Sequence, residues 1–202
     1  PTVSNPSGWT ARGWSTRSSA TETTTPGTIT ADATYYYSWQ KTVTATLYTY
    51  NNQKSTKTGT AYLDYAGKTT NATIALGTTS LSGYTFRGWS TSNTANASIT
   101  VAANGNASIS ANQTYYASYT YTVTATYYYY NGSSYTSSKA TATAYMNYQG
   151  TKIGAKPTTP TVSNPSEWTA RGWSTSSSAT GTLTTPGTIT ADATYYYSWQ
   201  KT

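Results

Sequence analysis

The chain has 202 residues with 0 His, 0 Cys and 5 acidic residues, which removes disulfides, Cys/His metal sites and most acid–base chemistry before any motif is read. Charged residues are 8% of the chain against roughly 25% in an ordinary domain. The net charge of +7 comes from basic residues scattered singly, without the clustered run that suits nucleic acid, and no apolar stretch approaches the ~20 residues of a membrane-spanning helix. Neither nucleic acid nor membrane insertion is therefore expected for this segment.

Leu, Ile, Val and Phe are scarce enough to suggest disorder, but 22 Tyr and 7 Trp can each bury a large area and replace them in a core. Thr, Tyr and Val favour strands and good helix formers are sparse, so the chain is expected to be mainly β. In chain order, Trp9-Thr-Ala-Arg-Gly-Trp14 predicts a strand, followed by a polar Ser/Thr/Ala loop and a turn at Asp32, where an Asx-turn is expected. Tyr35-Tyr-Tyr-Ser-Trp39 predicts the next strand. Val43, Ala45 and Leu47 alternate with Thr44, Thr46 and Tyr48, the pattern of a half-buried strand, and Asn51-Asn52 favours a hairpin turn. A second strand carries Ala61, Leu63 and Tyr65 on one face. The looser stretches 66–80 and 149–159 leave room for at most one short helix each.

The chain repeats itself. Residues 1–42 return almost verbatim as 160–202, with PTVSNPSGWTARGWST against PTVSNPSEWTARGWST and PGTITADATYYYSWQKT unchanged. A diverged copy lies between them, as GYTFRGWSTS at 83–92 and SISANQTYYASYTYTVTAT at 108–126, and AYLDYAG at 61–67 returns as AYMNYQG at 144–150. The spacing of about 80 residues belongs to an array of domains, not a short-repeat solenoid. Residues 42–120 then form a type A unit, 121–202 a type B unit, and 1–41 the C-terminal half of a further type B unit. The expectation is a window on a longer array, with another TVTAT segment after Thr202.

These residues carry a family resemblance over essentially the whole chain. GYTFRGWSTS, then ITADATYYYSW about twenty residues on, then YTVTATYYYYNG, resembles the Listeria–Bacteroides repeat, the internalin B-repeat family of bacterial cell-surface proteins. The resemblance implies compact β-grasp, ubiquitin-like modules, an extracellular or cell-surface location, and tandem use as spacer or adhesive segments. Type A departs from the pattern at Tyr119, where the closing Trp is expected.

Trp14, Trp89 and Trp173 sit in identical contexts, each two residues after Arg12, Arg87 or Arg171. A Trp there is either a sugar-stacking platform or a core residue beside a Gly that permits close backbone approach; the core reading is favoured. The arginines are expected to stack on a neighbouring aromatic or bridge to the adjoining unit. No carboxylate has a credible partner for glycosidase chemistry, and no base stands near a Ser or Thr nucleophile, so no catalysis and no cofactor are expected. Five Asn-x-Ser/Thr sequons, at Asn71, Asn96, Asn106, Asn112 and Asn131, are what chance supplies in so Asn/Ser/Thr-rich a chain. Tyr36, Tyr48, Tyr50, Tyr116, Tyr128, Tyr130 and Tyr196 fall on the outward phase of their strands. They form either a contact surface able to stack and hydrogen-bond or a face covered by the chain's own loops or neighbour. The functional expectation is a stalk or fibre whose partners are neighbouring repeats and other copies of itself. An adhesin holding glycans or a host protein through exposed aromatics is the alternative. One packing expectation is specific: type A pairs a large Phe86 with a small Ala117, type B a small Ala170 with a large Tyr197, as if each pair shared one space.

Overall fold

The computed structural model describes residues 1–201; Thr202, the last residue of the expected type B unit, lies outside them. The strands are β1 (Thr10–Ser15), β2 (Tyr36–Thr49), β3 (Gln53–Leu63), β4 (Thr69–Thr70), β5 (Ala72–Ala75), β6 (Thr85–Ser90), β7 (Val101–Ala102), β8 (Asn106–Ile109), β9 (Gln113–Tyr130), β10 (Tyr135–Asn147), β11 (Lys152–Ile153), β12 (Thr169–Ser174) and β13 (Ala193–Gln200). Eleven of them join one mixed sheet; β5 and β8 form a separate antiparallel ribbon. The only helical turn among the described residues is a 3-10 turn at Tyr50–Asn52, where Asn51 and Asn52 take positive φ and close the β2–β3 hairpin. The stretches that could have held a short helix carry β4 and β5 in one case and β11 in the other.

Two long strands organise everything. The first half of β2 pairs antiparallel with β1, and its second half pairs antiparallel with β3 and parallel with β9, Ala45 facing Gln113 and Tyr48 facing Tyr116. β9 does the same one step further along. Its first half meets β6 antiparallel, its second half meets β13 in parallel, Ala125 facing Ala193 and Tyr128 facing Tyr196, and β10 runs antiparallel beside it from Tyr130 back to Ser118. No Gly or Pro interrupts β9, so the ladder crosses the expected boundary at 120/121 without a break.

The two segments fill their cores differently. Around β2 and β9 the buried set includes Val43, Ala45, Leu47, Trp89, Tyr115, Ala117 and Tyr119, roofed by Ala72, Ile74, Ala107 and Ile109 of the β5–β8 ribbon and by Leu76 just past β5. Gly59 makes this possible, because a Cβ there would stand 2.8 Å from Ile74 and 2.9 Å from Ala72. At the corresponding place of the second segment stands Ala142, and an isolated bridge between Ala155 and Ile189 replaces the ribbon. That core is aromatic: Tyr127 replaces Leu47, stacks on Tyr195 at 5.6 Å and meets Trp173 edge-on at 5.1 Å. Tyrosine thus supplies the area that aliphatic residues supply in the first segment.

Phe86 and Ala117, expected to lie against or beside one another, are diagonal neighbours and not a directly opposed pair. A bulge between Phe86 and Gly88 puts Phe86 opposite Tyr119 and Trp89 opposite Ala117; likewise Ala170 faces Trp199 and Trp173 faces Tyr197. One directly opposed pair exchanges volume, Phe86/Tyr119 for Ala170/Trp199, while in the other the Trp is kept and its partner grows from Ala117 to Tyr197. The small Ala117 lets Trp89 sink to 2% exposure with its Nε1 donating to the Gly77 carbonyl at 2.8 Å, whereas Trp173 opposite Tyr197 stays half-buried.

Candidate functional site

The recurring side chains meet where one segment passes into the next. Tyr116 on β9 stacks on Tyr48 of β2 at 5.6 Å, and Tyr148, just past the end of β10, closes over both rings at 5.7 and 4.8 Å. Tyr148 is only 7% exposed. Its place is set by Asn147, whose Oδ1 accepts the amides of Gln149 and Thr151 while its Nδ2 donates to the Asn93 carbonyl across the junction. Burial pushes the Tyr148 phenol above its usual range, and the neighbouring Tyr116 and Tyr48 add to the rise.

Arg87 marks the same junction, and Arg12 the corresponding place one unit earlier. Arg87 donates to the Ala97 carbonyl and the Ser118 hydroxyl, and its guanidinium lies 4.6 Å from the Tyr145 ring of β10. Arg12 donates to the Ala20 and Thr21 carbonyls and lies 4.9 Å over Tyr62 of β3. Tyr62 and Tyr145 are the same position of the repeated Ala-Tyr-x-x-Tyr, as are Tyr65 and Tyr148. Each arginine therefore holds its own loop and offers its flat face to the tyrosine of the following hairpin. Arg171 donates to the Ala179 carbonyl. Lys152 sits over Tyr121 and Tyr84 at 5.0 and 5.6 Å, and a hydrogen bond with Tyr84 raises its pKa despite some desolvation.

Of the tyrosines singled out from the sequence, Tyr36, Tyr48, Tyr116, Tyr130 and Tyr196 are half-buried, while Tyr50 and Tyr128 are 42% and 45% exposed. Tyr36 meets Tyr65 at 4.9 Å, and Tyr128 and Tyr196 stack at 5.0 Å, nearly parallel. Where Tyr148 covers Tyr48 and Tyr116, the equivalent Tyr128 and Tyr196 instead border an open groove of about 410 Å³, which Tyr129, Tyr135, Tyr197 and Trp199 also line. Trp14 and Trp173 are half-buried and Trp89 fully so. Tyr62, Tyr65, Tyr145 and Tyr148 were not singled out from the sequence, although the return of Ala-Tyr-x-x-Tyr was a signal that could have found them.

The acidic turn is also more than local. Asn112 Oδ1 accepts the Thr44 amide at 2.8 Å and Asp192 Oδ1 accepts the Thr124 amide at 2.8 Å, each across 68 residues. These side chains pin the start of the parallel pair instead of making an Asx-turn.

Among the described residues no cluster of His, Cys, Asp or Glu could hold a metal ion, and no helix is long and apolar enough to cross a membrane. No family model, curated protein or solved structure matches the chain. The class that the fold defines is a mainly β chain built on a large mixed sheet, about half of it strand.

Proposed function

We propose that this chain is a non-catalytic segment of a bacterial surface stalk or fibre, assembled from tandem β-grasp units that share strands. The supporting observation is the 18-residue strand β9, whose halves serve two neighbouring segments without a linker. In each segment a central parallel pair is flanked by the opening hairpin on one side and the Arg-Gly-Trp strand on the other, the strand order expected of a β-grasp unit; in the first segment the β5–β8 ribbon takes the place of the helix, in the second a single Ala155–Ile189 bridge does. Shared strands transmit bending directly, and the Tyr48–Tyr116–Tyr148 cluster with the Arg87–Tyr145 contact resists rotation at the joint. The chain is expected to behave as a stiff rod at the cell surface. Flexible linkers are rich in Gly and Ser, so replacing Tyr121 and Thr122 by Gly-Ser should loosen the joint. Small-angle scattering then tests the reading: one fixed maximum dimension for the natural chain and a broadened distribution for the variant. A natural chain that scatters as a freely jointed pair overturns it.

The Tyr128–Tyr196 groove favours a second reading, an adhesin that holds a glycan or a host protein on stacked aromatic rings. A glycan array with no hits removes the glycan form of that reading.

A further inference from the structure

Residues 26–42 and 186–202 have the same sequence but different surroundings, which is a natural experiment. In the second copy Ala193–Tyr196 pair in parallel with Ala125–Tyr128, and Tyr195 is 6% exposed. Asp192 accepts the Thr124 amide, and Ile189 exchanges backbone hydrogen bonds with Ala155. In the first copy no strand lies in that position. Residues 33–35 are not in a strand, Tyr35 is only half-buried and Ile29 is 59% exposed. Among the described residues the Asp32 carboxylate accepts no hydrogen bond, and an open cavity of about 510 Å³ lies against Trp14, Pro26 and Tyr35.

Each unmet group has its complement in the second copy. Backbone edge 33–36 needs a parallel strand, Asp32 needs an amide at its start, Tyr35 and Tyr36 need rings opposite, and Ile29 needs a strand end. The first three are supplied there by the hairpin formed by β10 and the second half of β9, and the fourth by Ala155 in the stretch that follows that hairpin. We propose that the face of residues 26–39 is a docking site for a β-hairpin that carries Thr-Ala-Thr-Tyr-Tyr as Thr124–Tyr128 do. The hairpin adds parallel to 33–36, with the amide of its first Thr on Asp32 and its two Tyr rings on Tyr35 and Tyr36. Strand addition to an exposed edge gives affinity through main-chain bonds and selectivity through alternate side chains. The surface contacts that would deter a wrong partner are few, since Asp32 is the only charge on this edge and it demands an unpaired N–H. The inference deepens the shared-strand reading, on which it rests, by naming the partner.

The probe is a synthetic peptide of residues 121–156 added to the intact 202-residue chain, read by hydrogen exchange. Amides 33–35, outside any strand in the first copy, are expected to exchange quickly in the chain alone, and those facing the added strand to slow at least tenfold with peptide, while 193–196 stay as they were. Asp32→Ala in the chain, or Thr124→Pro in the peptide, removes one side of a charge-assisted bond and should weaken binding about tenfold. Absence of protection at millimolar peptide overturns the proposal, as does protection indifferent to both substitutions. Protection that grows with chain concentration and needs no peptide would make a second copy the occupant and overturn the hairpin assignment. A failed titration in a chain that still scatters as a fixed rod removes the docking site and leaves the stalk reading standing.

Discussion

Truncating Tyr148 to Ala separates the joint from the strands that pass through it. Tyr148 is 7% exposed and touches two rings, at 4.8 and 5.7 Å, so its loss removes nearly all the contact area of an aromatic side chain and leaves a cavity between Tyr48 and Tyr116. Truncations of buried aromatics cost about 3–5 kcal/mol. The lower end applies here, because the site lies near the surface and can partly collapse. The control is in the same molecule. Tyr65 holds the same place in its repeat but is 55% exposed and meets a single ring, Tyr36 at 4.9 Å, a contact of about 0.5–1 kcal/mol. With a urea dependence of about 2–3 kcal/mol per molar, Tyr148→Ala should lower the unfolding midpoint by about 1–1.5 M and Tyr65→Ala by less than ~0.5 M. Circular dichroism follows the sheet and Trp fluorescence follows the core around Trp89. The double substitution with Tyr116→Ala should show a coupling near ~1 kcal/mol. Equal costs for Tyr148→Ala and Tyr65→Ala would refute the idea that the joint is completed only where three tyrosines meet.

Other outcomes follow from single sites. Gly88→Ala should destabilise the chain by about 1–3 kcal/mol more than Gly172→Ala, as measured by thermal unfolding. Both glycines have positive φ, but a Cβ at Gly88 would stand 2.6 Å from the Val101 carbonyl oxygen while one at Gly172 meets nothing closer than 3.7 Å. Tyr119→Phe should be neutral or mildly stabilising in the same assay, because Thr79 and the Tyr50 backbone lie near the buried Tyr119 hydroxyl without reaching hydrogen-bond geometry and removing a poorly matched polar group relieves a desolvation cost. Stability should be flat to about pH 10 and fall beyond it. Burial raises Tyr115 and, offset only in part by Thr79 and the Tyr50 backbone, Tyr119; the Tyr84 hydrogen bond raises Lys152. Below the ordinary values both states keep these protons and stability is fully present. As pH rises, the unfolded chain sheds them first, so stability is lost as pH climbs toward the folded-state values. A titration that shows no alkaline loss would contradict these shifts.

Some of this molecule was written in its local pattern. Val43, Ala45 and Leu47 alternate with polar neighbours, and a strand's period of two forces them to one face whatever lies opposite. Asn51-Asn52 close their hairpin because Asn tolerates positive φ, and strands so rich in Thr and Tyr have little helical alternative. What the sequence could not express is which strand lies beside which. Cross-strand register depends on a bulge, and a single bulged residue between Phe86 and Gly88 moved Ala117 from Phe86 to Trp89. The same dependence hid the caps: Asp32 reads as a local turn former, yet at the matching positions Asn112 and Asp192 the side chain accepts an amide 68 residues away. It also separated tyrosines with the same strand phase. Tyr48, Tyr116 and Tyr128 share one alternation, but Tyr148 covers the first two, which are half-buried, while Tyr128 stays 45% exposed. Periodicity is a property of one strand and was determined by the sequence alone. Burial, pairing and the joints are properties of two or more strands, and only the tertiary structure decided them.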